Sequence, residues 1–260
     1  MTTTVAAAPF SAMGMYPAQP LRAAWDRLYA AAAAEIADTP AALCWDLDPA
    51  DTWLDPGLVL GMTCGWPLIT TLQHRLRVVG TFAYDLGGAA SPAYRSVIIA
   101  RVEAPLEDFN ESTVAANSSG SLSGWISLLA AFDRGGATWP GAVTWTGSHL
   151  ASIDAVRGGL ADIASVDAVT WAHRQRDAPQ TLEGLVVVGR GPLVPCLPMV
   201  IGGATSDEQL EAWRTAFRGA IEDPSLADAR DTLLIAGFAP LDFGDYEHAL
   251  ADLLVYRTTP

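Results

Sequence analysis

The chain has 260 residues, half of them hydrophobic and 17% charged, enough for one large domain or two lobes with buried cores and too apolar for a disordered chain. Fifteen arginines, no lysine and 29 acidic residues leave a formal charge of −14, a field that makes nucleic acid and anionic membrane poor partners. Cys44, Cys64 and Cys196 lie far apart with no CxxC or Cys/His ligand spacing, so neither a zinc site nor a disulfide framework is indicated.

Short β-rich runs alternate with helical patterns almost from end to end, the signature of crossover units and of an α/β fold with mostly parallel sheets. The opening, MTTTVAAAPFSAMGM, has no basic stretch before its small apolar run, and no stretch of 18 apolar residues follows. As written, the chain is therefore expected to remain in the cytoplasm. A first strand is predicted over residues 5–11, and Pro20 opens an alanine-rich helix over 21–36. After a short apolar run at 41–45, Leu58–Met62 reads as a buried strand that ends in Thr63-Cys64-Gly65-Trp66-Pro67, and Leu76–Tyr84 as the next.

From the apolar run at 97–102 the rhythm restarts, which predicts a change of lobe. A strand over 113–116 leads through a Ser/Gly loop to a helix over 125–132. A strand over 143–146 leads through Gly147-Ser148-His149 to a helix over 151–157, closed by Gly158-Gly159. A strand over 161–166 ends at Asp167. Residues 185–188 lead to Gly189-Arg190-Gly191-Pro192, a second crossing, beyond which lie a strand over 198–201, a helix over 207–221 and a last helix over 246–256. Residues 1–98 with 192–260 would then form one discontinuous lobe, and 99–191 an inserted one.

Asn117-Ser118-Ser119-Gly120-Ser121-Leu122-Ser123-Gly124 lies between a predicted buried strand and a predicted helix. Backbone N–H groups at such a helix start have no partner within the helix, and the helix dipole favours an anion without needing a cation. Serine hydroxyls add neutral donors. The same residues also make an ordinary helix cap, and the string lacks the GxxxxGK[ST] of a nucleotide-binding loop. Thr146-Gly147-Ser148-His149 repeats the arrangement and adds an imidazole, although a lone loop histidine is commonly a surface residue. Asp167 sits at the carboxyl end of a strand, the edge where open α/β sheets bind ligands, and also where a helix cap belongs. Nucleophilic catalysis has little support, since there is no GxSxG or HExxH motif. Trp66, Trp125, Trp145 and Trp171 read mainly as core.

The string from Ser112 to Gly124, followed by Thr146-Gly-Ser-His149 and the segment through Asp162 and Asp167 to Trp171, resembles the phosphate/phosphonate-type substrate-binding proteins of ABC transporters. Thr63-Cys-Gly-Trp-Pro67 and Tyr94-Arg-Ser96 fit the same family, so the resemblance spans nearly the whole chain. It implies a two-lobed type II periplasmic-binding-protein fold with a ligand cleft between the lobes, and binding of a phosphonate, phosphite or phosphate-like oxyanion in place of catalysis. Carried over by position, Ser119, Ser121 and Ser123 are the expected oxyanion donors. His149, Asp167 and Tyr94 match polar or aromatic ligand positions, and Tyr16 and Thr63 are further candidates. No cofactor and no metal is expected; the expected partners are the oxyanion and transporter membrane subunits, with the protein a monomer or weak dimer. Two rivals share the fold: a cytoplasmic lyase or transferase using His149 near Asp167, and a ligand-sensing subunit.

Overall fold

The computed structural model of the chain describes residues 8–135 and 138–257. They divide into two compact units: the described residues of Met1–Pro92 and Pro195–Glu247 form the first, and those of Ala93–Val194 and His248–Pro260 the second. Elements are numbered along the chain.

The first unit is built on strands β1 (Phe10–Ala12), β2 (Leu58–Met62), β3 (Leu76–Tyr84), β9 (Pro198–Gly202) and β10 (Ile235–Ala239), in the order β1-β2-β9-β3-β10. The strand expected over 5–11 falls partly outside the described residues, and its described part begins at Phe10. Among the described residues, β1–β2 is the one parallel pair of hydrogen-bonded neighbours in this sheet; β9 lies antiparallel to both of its neighbours, and β10 antiparallel to β3. The expectation of mostly parallel sheets is therefore corrected here. Strand β9 inserts between β2 and β3, pairing Met199 with Met62 and Val200 with Val78, so the returning chain runs against both.

Helices α1 (Gln19–Ala33), α2 (Pro49–Thr52), α3 (Gly65–Thr70), α7 (Asp207–Glu222) and α8 (Ala227–Leu233) belong to this unit. Pro20 occupies the first turn of α1, where its missing N–H has no bond to lose. Leu21, Trp25, Leu28, Tyr29 and Ala32 form the buried stripe of that helix at three- and four-residue spacing. Ser206 and Gln209 close a reciprocal capping box at the start of α7, which buries Trp213 and Phe217. Phe82 of β3 joins the two helices, its ring centre 5.6 Å from Trp25 and 5.5 Å from Phe217. Each such buried ring contributes about 1.5–3 kcal/mol of transfer free energy.

The second unit carries β4 (Ala93–Ala100), β5 (Val114–Ala116), β6 (Val143–Trp145), β7 (Ile163–Val166) and β8 (Val186–Pro195), in the order β6-β5-β7-β4-β8. Here the crossover pattern is present: β5 runs parallel to both β6 and β7, with Val114 opposite Val143 and Ile163. Strand β4 is antiparallel to β7. Helices α4 (Ser127–Ala131), α5 (His149–Arg157) and α6 (Ala168–Asp177) follow β5, β6 and β7. The carboxyl ends of the three parallel strands thus lie at one edge, the ligand-binding edge of open α/β sheets.

The unit boundaries differ from the predicted crossings because β4 and β8 are each continuous strands of this second sheet, and a cut at 98 would split β4. The chain leaves the first unit within α9 (Phe243–Leu250), so the C-terminal residues do not stay with the chain ends as predicted. The Tyr256 hydroxyl donates to Asp133 at 3.3 Å, and Val255 lies against Gly135.

Candidate oxyanion site in the second unit

Val114, Ala115 and Ala116 are fully buried, and the chain emerges from the sheet at Asn117. Ser118, Ser119 and Gly120 are exposed, and the chain then turns back in. Ser121 caps the helical segment: its Oγ accepts from Gly124 N–H at 3.0 Å. Its carbonyl accepts from both Trp125 N–H at 3.1 Å and Ile126 N–H at 3.0 Å, which makes residues Leu122–Ile126 a single π-type turn ahead of α4. The predicted helix over 125–132 therefore begins earlier and wider than expected, a geometry often found at functional sites. Among the described residues, the backbone N–H groups of Ser119, Gly120 and Ser123 donate to no protein acceptor.

The second turn is fixed to the first. Thr146 N–H donates to Ala116 O at 2.9 Å and Gly147 N–H to Asn117 O at 3.1 Å. Gly147 has a φ of +82°, a left-handed conformation that suits glycine. Ser148 caps α5 by accepting from Ala151 N–H at 3.1 Å, so His149 is the first residue of that helix. Its Nε2 lies 2.9 Å from Ser123 Oγ. The residue is partly exposed, yet its Nδ1 is buried and has no hydrogen-bond partner. Burial lowers the His149 pKa, opposed by the Asp167 carboxylate, and the balance favours neutral imidazole.

Asp167 is 2% exposed at the end of β7, and its Oδ1 accepts from Thr170 N–H at 2.9 Å as the cap of α6. Of the two expectations for this residue, the helix cap is observed; its carboxylate also raises the His149 pKa against the effect of burial. Ser165, buried on β7, donates to Ser123 O at 2.6 Å and holds the π turn onto the sheet. These contacts bring together Ser121, Ser123, His149 and Asp167, while Ser119 stays on the exposed part of the turn. Tyr94 is buried at the second position of β4.

Two candidates belong to the first unit. Tyr16 is buried with its ring edge-on to Tyr84 at 6.2 Å, and Thr63 is fully buried just after β2, its N–H donating to Pro198 O at 3.0 Å. Sequence reasoning passed over Ser165, Asn117 and Gly124 as site residues. Asn117 and Gly124 stood in plain view at the two ends of the serine string; Ser165 lies inside an apolar run and gave no signal.

The arrangement does not make a Ser-His-Asp triad. Such a triad needs the carboxylate hydrogen-bonded to the imidazole nitrogen that does not face the serine, and His149 Nδ1 has no partner. What the two turns offer is a set of short-range neutral donors at one sheet edge. Among the described residues, no group of three His, Cys, Asp or Glu side chains could hold a metal, and no helix is long and apolar enough to cross a membrane.

No curated protein matches the chain. Solved structures do. A phosphonate-binding protein of Prochlorococcus marinus, in complex with methylphosphonate, is 14% identical with a TM-score of 0.73, covering 95% of this chain and 96% of that one. A binding component of an ABC phosphonate transporter from Pseudomonas aeruginosa is 17% identical with a TM-score of 0.69, over 95% of this chain and 85% of the other. A Xanthomonas citri protein bound to chloride ion is 15% identical with a TM-score of 0.70, over 96% of each chain. At these identities the likenesses establish the fold, that of the two-lobed periplasmic binding proteins. Residues 62–246 match the family described as ABC transporter, phosphonate, periplasmic substrate-binding protein. The chain therefore belongs to the phosphonate-type periplasmic substrate-binding proteins of ABC transporters, a family of non-enzymatic solute receptors.

Proposed function

We propose that the ligand is a small phosphonate, phosphite or phosphate-like oxyanion held by the two helix starts of the second unit. Ser119, Ser121 and Ser123 supply hydroxyl and backbone donors, His149 Nε2 orients the Ser123 hydroxyl toward the ligand, and Asp167 reads a proton or an ammonium group on the ligand. The observation that carries this reading is the Ser123–His149 contact at 2.9 Å beside backbone N–H groups that have no protein acceptor. At a net charge of −14 the long-range field repels anions. Screening confines that repulsion to roughly 8 Å at physiological salt, so short-range donors decide affinity.

Tyr94, Tyr16 and Thr63 stay in the reading on the resemblance, and Tyr94→Phe, Tyr16→Phe and Thr63→Ala test them. The family implies transporter membrane subunits as partners; for the free protein the reading is a monomer or weak dimer, checked by analytical ultracentrifugation. The family is periplasmic, and fractionation of the native protein tests whether this chain is found there.

Titration calorimetry of the folded protein against methylphosphonate, 2-aminoethylphosphonate, phosphite, phosphate and sulfate is the direct test. Heat with at least one phosphorus oxyanion is expected. Silence with all of them overturns the ligand class.

A further inference from the structure

One residue touches both helix starts. The backbone carbonyl of Asn117 accepts from Gly147 N–H at 3.1 Å, anchoring the turn that delivers His149. Its side chain lies across the other turn, with Cγ 3.0 Å from the place a Cβ on Gly124 would take, and a methyl there would overlap Asn117 Oδ1. Gly124 directly follows Ser123 and donates its N–H to Ser121 Oγ. A side chain at position 124 would thus require the Asn117 carboxamide to move.

Asn117 Oδ1 is buried and has no hydrogen-bond donor. It lies against Gly124, where a C–H group could offer no more than a weak contact. A buried carbonyl left this way is destabilising, and folded proteins keep few of them. A side chain that packs where it cannot be satisfied is poorly explained by stability.

We propose that Asn117 is a positioning residue for oxyanion recognition: its main chain sets the Gly147 turn, its side chain sets the Gly124 turn, and together they fix the distance between the serine donors and His149. This rests on the reading that these two turns hold the ligand. The serine string is a loop with little regular structure, and each residue ordered only on binding subtracts from affinity. By lying against Gly124, Asn117 holds the turn in its binding form before the ligand arrives.

The test is calorimetry with methylphosphonate on the full chain and on Asn117→Ala, Asn117→Asp, Gly124→Ala and the double variant Asn117→Ala/Gly124→Ala, with thermal unfolding of each. Asn117→Ala should weaken binding tenfold or more while the melting temperature stays level or rises, because the orphaned carbonyl is gone. Gly124→Ala should lose both binding and stability, and adding Asn117→Ala should restore stability, since the overlap is removed. Asn117→Asp keeps the shape but sets a negative charge beside the anion. Its affinity should fall more steeply than that of the unchanged protein as rising pH strips the ligand of its last proton, a response that packing alone would not give. If the unchanged protein binds methylphosphonate and Asn117→Ala binds it equally well, the inference is wrong and the ligand reading stands. If the folded, unchanged protein binds no phosphorus oxyanion, the ligand reading fails and takes this inference with it.

Discussion

Ser123 Oγ and His149 Nε2 lie 2.9 Å apart, one on a π turn after β5 and the other at the first position of α5. The hydrogen between them has two arrangements. If it belongs to the serine, the hydroxyl is used up on the imidazole. If it belongs to Nε2, Ser123 Oγ accepts and its own hydrogen is available to an anion. On the proposed reading a bound oxyanion would select the second arrangement, and the neutral imidazole favoured by burial would act as a hydrogen-bond relay without needing to titrate.

Because the two side chains act through one contact, their removal should be non-additive. Ser123→Ala and His149→Ala are each expected to weaken phosphonate binding by about tenfold to a hundredfold, the range of a hydrogen bond to a charged group. The double variant should be little worse than the weaker single one. Calorimetry at pH 7 decides it, and losses that simply add would mean the residues meet the ligand independently.

Asp167 should sort ligands by whether they can donate. Sulfate is fully ionised and offers no proton to a buried carboxylate, so it should not bind. Asp167→Asn retains a good cap for α6, since asparagine and aspartate are comparable there. Stability should therefore change little. Affinity for a protonated or ammonium-bearing phosphonate should drop about tenfold to a hundredfold, and affinity for a fully deprotonated oxyanion should rise. Unchanged affinities across the ligand series would reduce Asp167 to a helix cap.

The strands that the sequence marked most clearly were those buried on both faces. Leu58–Met62 and Leu76–Tyr84 have the predicted bounds because continuous apolar runs between turn residues leave little choice of limits. The two Ser/Gly helix starts were legible for the same reason: a buried strand, then cap residues, then a helical pattern. Strand direction was not legible. Nothing in Pro198–Gly202 tells that it will insert antiparallel between β2 and β3. Residues 227–239 were also passed over, where α8 is seven residues long and gives way to β10 through Leu234 in a left-handed conformation at φ 59°. Leucine at such a position carries no sequence signal, unlike the glycine at 147. The π turn escaped because its defining bond, Ile126 N–H to Ser121 O, joins two residues of which neither carries a signal for it.

Ser121 can be tested apart from the ligand. Its Oγ is the acceptor for Gly124 N–H, and the residue is buried. Ser121→Ala should cost about 1 kcal/mol, the usual worth of a helix cap, seen as a lower urea midpoint with the slope unchanged. Ser121→Asn should recover much of it if capping is the reason. A Ser121→Ala protein as stable as the original would show that the π turn is held by Ser165 and the sheet.

His173 on α6 sets a pH dependence separate from the site. It is 8% exposed, and burial, followed by the neighbouring Arg176, lowers its pKa to about 4. An unfolded histidine takes up its proton near the ordinary value of 6.5. As pH falls, the unfolded chain therefore binds a proton before the folded one does. The contribution is fully present above 6.5 and is lost as pH falls towards 4, by about 3 kcal/mol in all. His149, also lowered by burial, adds a loss of the same sign below 6.5. Asp177, held down by its hydrogen bond from Arg176, contributes stability that is lost only below the ordinary carboxylate range. Urea unfolding at pH 7, 5.5 and 4 should show a decline in wild type that is markedly shallower in His173→Gln, because glutamine has no proton to take up. Parallel declines in the two proteins would mean that His173 is charged in the folded state at pH 5.5 and that the acid sensitivity arises elsewhere.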